Sequence, residues 1–80
     1  MNLSDRVVEV IAMQLDVEKD RIISEATIEG DLEADELQVL ELVVALEEEF
    51  GVRIADDDVH RLHNVEGIMV YIGAMKSGDL

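Results

Sequence analysis

The chain has 80 residues, enough for one small domain near the lower size limit for a self-sufficient core. Hydrophobic residues make up 49% of it, but with a single Phe and a single Tyr any core must be aliphatic. With 20 acidic against 6 basic residues the formal charge is -14, which argues against phosphate backbones and anionic membranes as partners and favours basic protein surfaces.

Such a charge can signal disorder, but here the apolar residues are too many and too regularly placed. Self-repulsion should still cost stability. No cysteine is present, so there is no disulfide, thiolate nucleophile or zinc-thiolate site. The run Met1-Asn2-Leu3-Ser4-Asp5-Arg6 has no long apolar stretch, and no segment approaches the roughly 18 apolar residues of a membrane span. The expectation is a cytoplasmic, monomeric domain over residues 1–80 with neither signal peptide nor membrane span.

Leu3, Val7, Val8, Ile11 and Leu15 recur at helical spacing and predict a helix from about Leu3 to Leu15, capped by Asn2 or Ser4. Residues 16–35 form a long connection. Val17, Ile22, Ile23, Ile28 and Leu32 are spread along it and are expected to pin it against the bundle. A short helical turn is expected within Asp16 to Arg21, and Gly30 marks a backbone turn.

The next helix is the clearest element. Asp35 is a good N-cap, Gln38 completes a capping-box pattern, and Gly51 reads as the C-cap. Leu42, Leu46 and Phe50 are spaced for the core, whereas Leu37, Leu40 and Val44 lie on a neighbouring stripe expected to stay partly exposed. Glu41, Glu47, Glu48 and Glu49 supply the acidic remainder. Asp56 to Leu62 has an acidic start and a basic end and reads as a short helix. Asn64 caps a last helix with Val65, Ile68, Met69, Ile72 and Met75 inward, and Gly67 weakens its first turn by roughly 1 kcal/mol relative to Ala. Ser77 to Leu80 reads as a tail. The sum is an all-α bundle of three longer helices and one short one, with a long first loop.

No catalytic site assembles from these residues. Ser4, Ser24 and Ser77 have no neighbouring histidine in sequence. His60 and His63 can share a helix face with Asp56 or Asp57, but nothing else has ligand spacing, so they read as a solvated pair and no metal site is assigned. The acidic runs lack the alternating oxygen ligands and central Gly of a calcium loop. An acidic divalent-cation module remains the alternative from another class.

Asp31-Leu32-Glu33-Ala34-Asp35-Glu36-Leu37, followed by Glu41-Leu42-Val43 and Ala45-Leu46-Glu47-Glu48-Glu49-Phe50, resembles an acyl carrier protein of the bacterial fatty-acid synthase type. The family pattern is Asp-Leu-Gly-Ala-Asp-Ser-Leu, then Glu-Leu-Val, then Ala-Leu-Glu-Glu-Glu-Phe. The resemblance covers nearly the whole chain. It implies a four-helix carrier fold, not an enzyme, that serves lipid, fatty-acid or polyketide metabolism. In the family a serine after the cap aspartate is esterified with 4′-phosphopantetheine, whose thiol holds acyl chains sheltered between helices. Basic surfaces of acyl-carrier-dependent enzymes dock on the second helix. Carried over by position, the docking residues are Asp35, Leu37, Glu41, Val44, Glu47, Glu48, Ile54 and Asp56. The cleft is lined by Val39, Leu42, Val43, Leu46, Ile54, Leu62 and Ile68.

The chain departs from the pattern where it matters most. Glu36 occupies the position of the modified serine, so no phosphopantetheine is expected as the chain is written. Glu33 stands where the pattern has glycine, Gln38 where an acidic residue is common, and Ala55 where proline is frequent. Two explanations stay open: natural divergence, which the flanking changes favour, or an ordinary carrier whose attachment serine has been changed to Glu36. A carboxylate in a helix's first turn is itself favourable, typically by about 0.3–1 kcal/mol.

Overall fold

The computed structural model describes residues 2–78. It contains three α-helices, α1 (Leu3–Leu15), α2 (Glu36–Phe50) and α3 (Val65–Ser77), with 3-10 helices at Lys19–Arg21 and Asp56–Leu62. Among the described residues the only β-type pairing is an isolated bridge between Thr27 and Asn64. The expected all-α bundle therefore forms, with α1 packed on both α2 and α3. Its short element is a 3-10 helix. Three successive aspartates repel one another and are poor helix formers, and Ala55 provides no side-chain cap.

Asn2, not Ser4, caps α1, its side chain accepting from the Asp5 N–H at 2.8 Å. Val7, Val10, Ile11 and Leu15 are the buried residues of this helix. Val10 takes a core place that the expected stripe gave to Val8, which lies on the flank and is only half-buried. In α3, Val65, Ile68, Tyr71 and Ile72 are buried, while Met69 and Met75 are partly so. Asn64 caps α3 by accepting from the Gly67 N–H at 2.7 Å. A Cβ at position 67 would fall 2.4 Å from the Arg61 carbonyl oxygen, so Gly67 is required by close approach and is not merely a weak helix residue. Ser77 closes α3 and Gly78 caps it; Asp79 and Leu80 lie outside the described residues.

The long connection is held by backbone hydrogen bonds to the start of α3. The N–H of Val65 donates to the Ala26 carbonyl at 3.0 Å, and that of Glu66 to the Ser24 carbonyl at 2.9 Å. In return the Ile28 N–H donates to the His63 carbonyl at 2.9 Å. These bonds satisfy N–H groups that the first turn of α3 cannot pair internally. Ile22, Ile28 and Leu32 are buried as expected, joined by Ala26 and Ala34. Ile23 is instead 56% exposed, at the start of a turn in which the Ala26 N–H donates to the Ile23 carbonyl at 3.0 Å.

The core is aliphatic around Ile11, Ile28, Leu46, Ile68 and Ile72, with Phe50 at its edge. Among the described residues no polar or charged side chain is buried except Tyr71, whose hydroxyl donates to the Asp58 carboxylate at 2.9 Å.

Candidate functional site

The start of α2 is built by a complete capping box. The Gln38 N–H donates to Asp35 Oδ1 at 2.8 Å, and the Asp35 N–H donates to Gln38 Oε1 at 3.0 Å. Gln38 thus supplies an acceptor for a cap N–H that a shorter side chain would leave open. Glu36 is the first helical residue, and its side chain faces solvent at the positive end of the helix dipole.

The loop that delivers the chain to this point is firmly organised. Thr27 and Asp31 exchange bonds: the Thr27 N–H donates to Asp31 Oδ2 at 3.0 Å, and the Asp31 N–H donates to Thr27 Oγ1 at 2.8 Å. Gly30 sits within this turn, as expected. The Ala34 N–H donates to the Ile28 carbonyl at 3.0 Å. Arg21 donates to the Asp31 carbonyl at 2.8 Å and approaches the Glu33 carboxylate at 3.7 Å. Glu33 has φ +60°, a left-handed conformation that glycine adopts freely and a residue with a Cβ adopts at a cost.

Along the outer face of α2, Leu37 is 63% exposed, Leu40 54% and Val44 51%. Asp35, Glu41 and Glu48 are exposed beside them, and Asp56 is exposed on the following segment. This is a contiguous acidic face with apolar side chains at its centre. Two residues expected there are placed differently. Ile54 is 7% exposed and belongs to the core, so of its two expected places it occupies the interior one. Glu47 is half-buried, and its carboxylate accepts the Ile54 N–H at 2.8 Å, which draws it toward the connector.

The residues expected to line a cleft are together in the interior. Leu42, Leu46, Leu62 and Ile68 are buried along with Ile54, and Val39 and Val43 pack against them partly buried. Among the described residues no three His, Asp or Glu side chains converge as metal ligands. His63 Nδ1 lies 3.2 Å from the His60 carbonyl oxygen, and both rings are on the surface.

Burial, reinforced by the hydrogen bond to Asp58 and that residue's charge, pushes the Tyr71 hydroxyl up. The Ser24 hydroxyl, donating to the Glu25 carboxylate at 2.9 Å, holds that carboxyl below the usual range. Neither lies at the start of α2. Residues 31–38 contain no hydroxyl side chain. Ser4 lies on α1, Ser24 on the loop beside α3, and Ser77 at the end of α3.

Residues 5–72 match the family model described as a phosphopantetheine attachment site. An acyl carrier protein of Zymomonas mobilis subsp. mobilis is 39% identical over 74 residues, covering 92% of this chain and 95% of the relative. An acyl carrier protein of Syntrophobacter fumaroxidans is 44% identical over 72 residues, covering 90% of this chain and 89% of the relative. No helix among the described residues is long and apolar enough to cross a membrane. With a family model over most of its length and relatives matched nearly end to end, the chain belongs to the acyl carrier protein family, whose members are carriers and not enzymes.

Proposed function

We propose that this chain is a carrier-fold protein that docks basic surfaces of acyl-carrier-dependent enzymes through α2 but is not itself loaded with 4′-phosphopantetheine. It would act as a docking or regulatory homologue in lipid, fatty-acid or polyketide metabolism, as a monomer in the cytoplasm. The single observation behind this is Glu36 at the first position of α2, on a fully formed cap and beside an exposed acidic face. The residues present do not fit the prosthetic group. Attachment requires a hydroxyl oxygen that attacks the coenzyme A pyrophosphate, and a carboxylate would give only an unstable mixed anhydride.

Glu36 has a role of its own in this reading. Its negative charge stands close to where the family's phosphodiester would, so partners that expect an anion there still find one. Glu36→Gln removes the charge while keeping shape, and should weaken binding to a carrier-dependent enzyme. Equal binding by the variant would overturn the charge-imitation part of the proposal.

A second reading is an ordinary carrier whose attachment residue alone has been changed. It draws on the same surface: Leu37, Glu41, Val44 and Glu48 form a continuous exposed face around position 36. Incubation with a promiscuous phosphopantetheinyl transferase and coenzyme A, read by intact mass, tests both. The parent chain should gain nothing. Gain of one arm by the parent would overturn the central claim. Gain of one arm by Glu36→Ser would show that the rest of the transferase-recognition face is competent.

A further inference from the structure

The exposed face of α2 does not end at its own edge. A groove of roughly 330 Å³ is lined by Gln14 of α1 with Leu40, Glu41, Val44, Ala45 and Glu48 of α2. An adjoining depression of roughly 250 Å³ shares Gln14, Ala45 and Glu48, and adds Val10 and Met13 of α1 together with Glu49. A third continues along Val10, Met13 and Glu49 to Arg6 and Glu9. The three form one trough along the α1–α2 seam. Leu40, Val44 and Ala45 of α2 line its first part, and Val10 and Met13 of α1, the latter 77% exposed, line the parts that adjoin it.

We propose that this trough seats a cationic amphipathic helix of a protein partner, with Met13 as an apolar anchor contributed by α1. The proposal rests on the reading of α2 as a docking element and extends that element onto α1, away from Ile54 and Asp56. The occupant's chemistry follows from the lining. Glu9, Glu41, Glu48 and Glu49 border the trough. Glu9 and Glu49 are paired with Lys19 and Arg6 respectively. Glu41 and Glu48 are exposed carboxylates on either side of Val44 in sequence, and they offer acceptors to lysine or arginine. Glu41 and Glu48, seven residues apart, share one stripe of α2 beside Leu40 and Val44, and an apolar strip bordered by such a row of carboxylates matches a helix with an apolar stripe and a basic edge. A second copy of this chain fits badly, because each copy carries a formal charge of -14. Methionine suits such a role, being unbranched, polarisable and able to repack against differently shaped partners.

The test uses a designed Leu/Lys peptide of about 18 residues with leucines at i, i+3, i+4 and i+7, beside a scrambled peptide of equal composition and charge. Titration into the isotopically labelled protein should give about tenfold tighter binding for the amphipathic peptide. Amide shifts should include Met13 and Gln14 as well as Leu40 and Val44. Met13→Ser, which removes the apolar contact at an exposed position without adding a charge, should weaken binding about fivefold or more, with circular dichroism unchanged. Equal affinity of the scrambled peptide would overturn the proposal, and so would an unaffected Met13→Ser variant. Shifts confined to Leu37, Glu47 and Asp56 would remove α1 from the interface while leaving docking through α2 standing. Sedimentation that shows the free protein dimerising through Met13 would assign the trough to a second copy and overturn it too.

Discussion

The backbone N–H of Ile54 donates to the Glu47 carboxylate at 2.8 Å, so one acid of α2 holds the connector that leads to the next element. A residue read as part of a docking surface is therefore also a structural one. Glu47→Ala should cost about 1–2 kcal/mol in urea unfolding, since it orphans a partly buried donor. Glu47→Gln keeps an acceptor and should cost less than half of that. Matching losses for the two variants would show that the hydrogen bond contributes nothing and that charge alone matters.

Glu33 sits at φ +60° one residue before buried Ala34, in the segment that leads into α2. Glu33→Gly should stabilise the protein by about 0.5–1 kcal/mol by relieving the left-handed strain. The exposed pair with Arg21, lost in the same change, is worth at most about 1 kcal/mol and usually less. A raised urea midpoint with an unchanged denaturant slope is the expected result. A lowered midpoint would mean that the Arg21 contact outweighs the backbone term.

Tyr71 makes stability depend on alkaline pH. Its proton is held more tightly in the folded chain than in the unfolded one, because burial and Asp58 both oppose ionisation. Below the unfolded value of about 10 this contribution is fully present; it is lost as pH rises through the higher folded value. Thermal unfolding should therefore shift down steeply above about pH 10. Tyr71→Phe should flatten that limb and cost about 0.5–1.5 kcal/mol at neutral pH through loss of the bond to Asp58. An identical alkaline limb in the variant would assign the effect to another group.

Added salt should raise the melting temperature. With 20 acids and 6 bases, screening relieves far more repulsion than attraction. The ion pairs between Arg6 and Glu49, Arg21 and Glu33, and Arg61 and Asp58 are partly solvent-exposed, and their loss to screening is small by comparison. A melting temperature that falls or stays level between low and moderate ionic strength would contradict this.

The helical frame was legible because its signals are local. Asp35 and Gln38 mark a cap within one turn, and Leu42, Leu46 and Phe50 at i, i+4 and i+8 are all buried. Leu37, Leu40 and Val44 fall on the exposed side, as their stripe implied. What escaped the sequence was set by contacts between distant segments. Ala26 and Ala34 are core residues, yet two alanines in a polar loop give no periodic signal. The Tyr71–Asp58 bond and the Arg61 guanidinium 5.4 Å from the Tyr71 ring join elements whose approach only the fold reveals. Position 33 was visible as a departure from a glycine pattern, but its backbone angle was not. The Met13 side of the trough was invisible for the same reason as the alanines: an apolar residue on the outer face of α1 has no meaning until α2 lies alongside.

Among the described residues the interior holds no polar side chain beyond the Tyr71 hydroxyl, and bonds that tie one element to another sit at its rim: Arg6 to the Glu49 carbonyl, Lys76 to the Phe50 carbonyl, Glu47 to Ile54. Nothing directional locks the helices at the centre, where dispersion and fit alone decide their spacing. Separating them slightly would strand no buried donor or acceptor, only bare hydrocarbon. To Leu46, Ile68 and Ile72, a foreign alkyl group of the right volume would be chemically indistinguishable from the side chains already there.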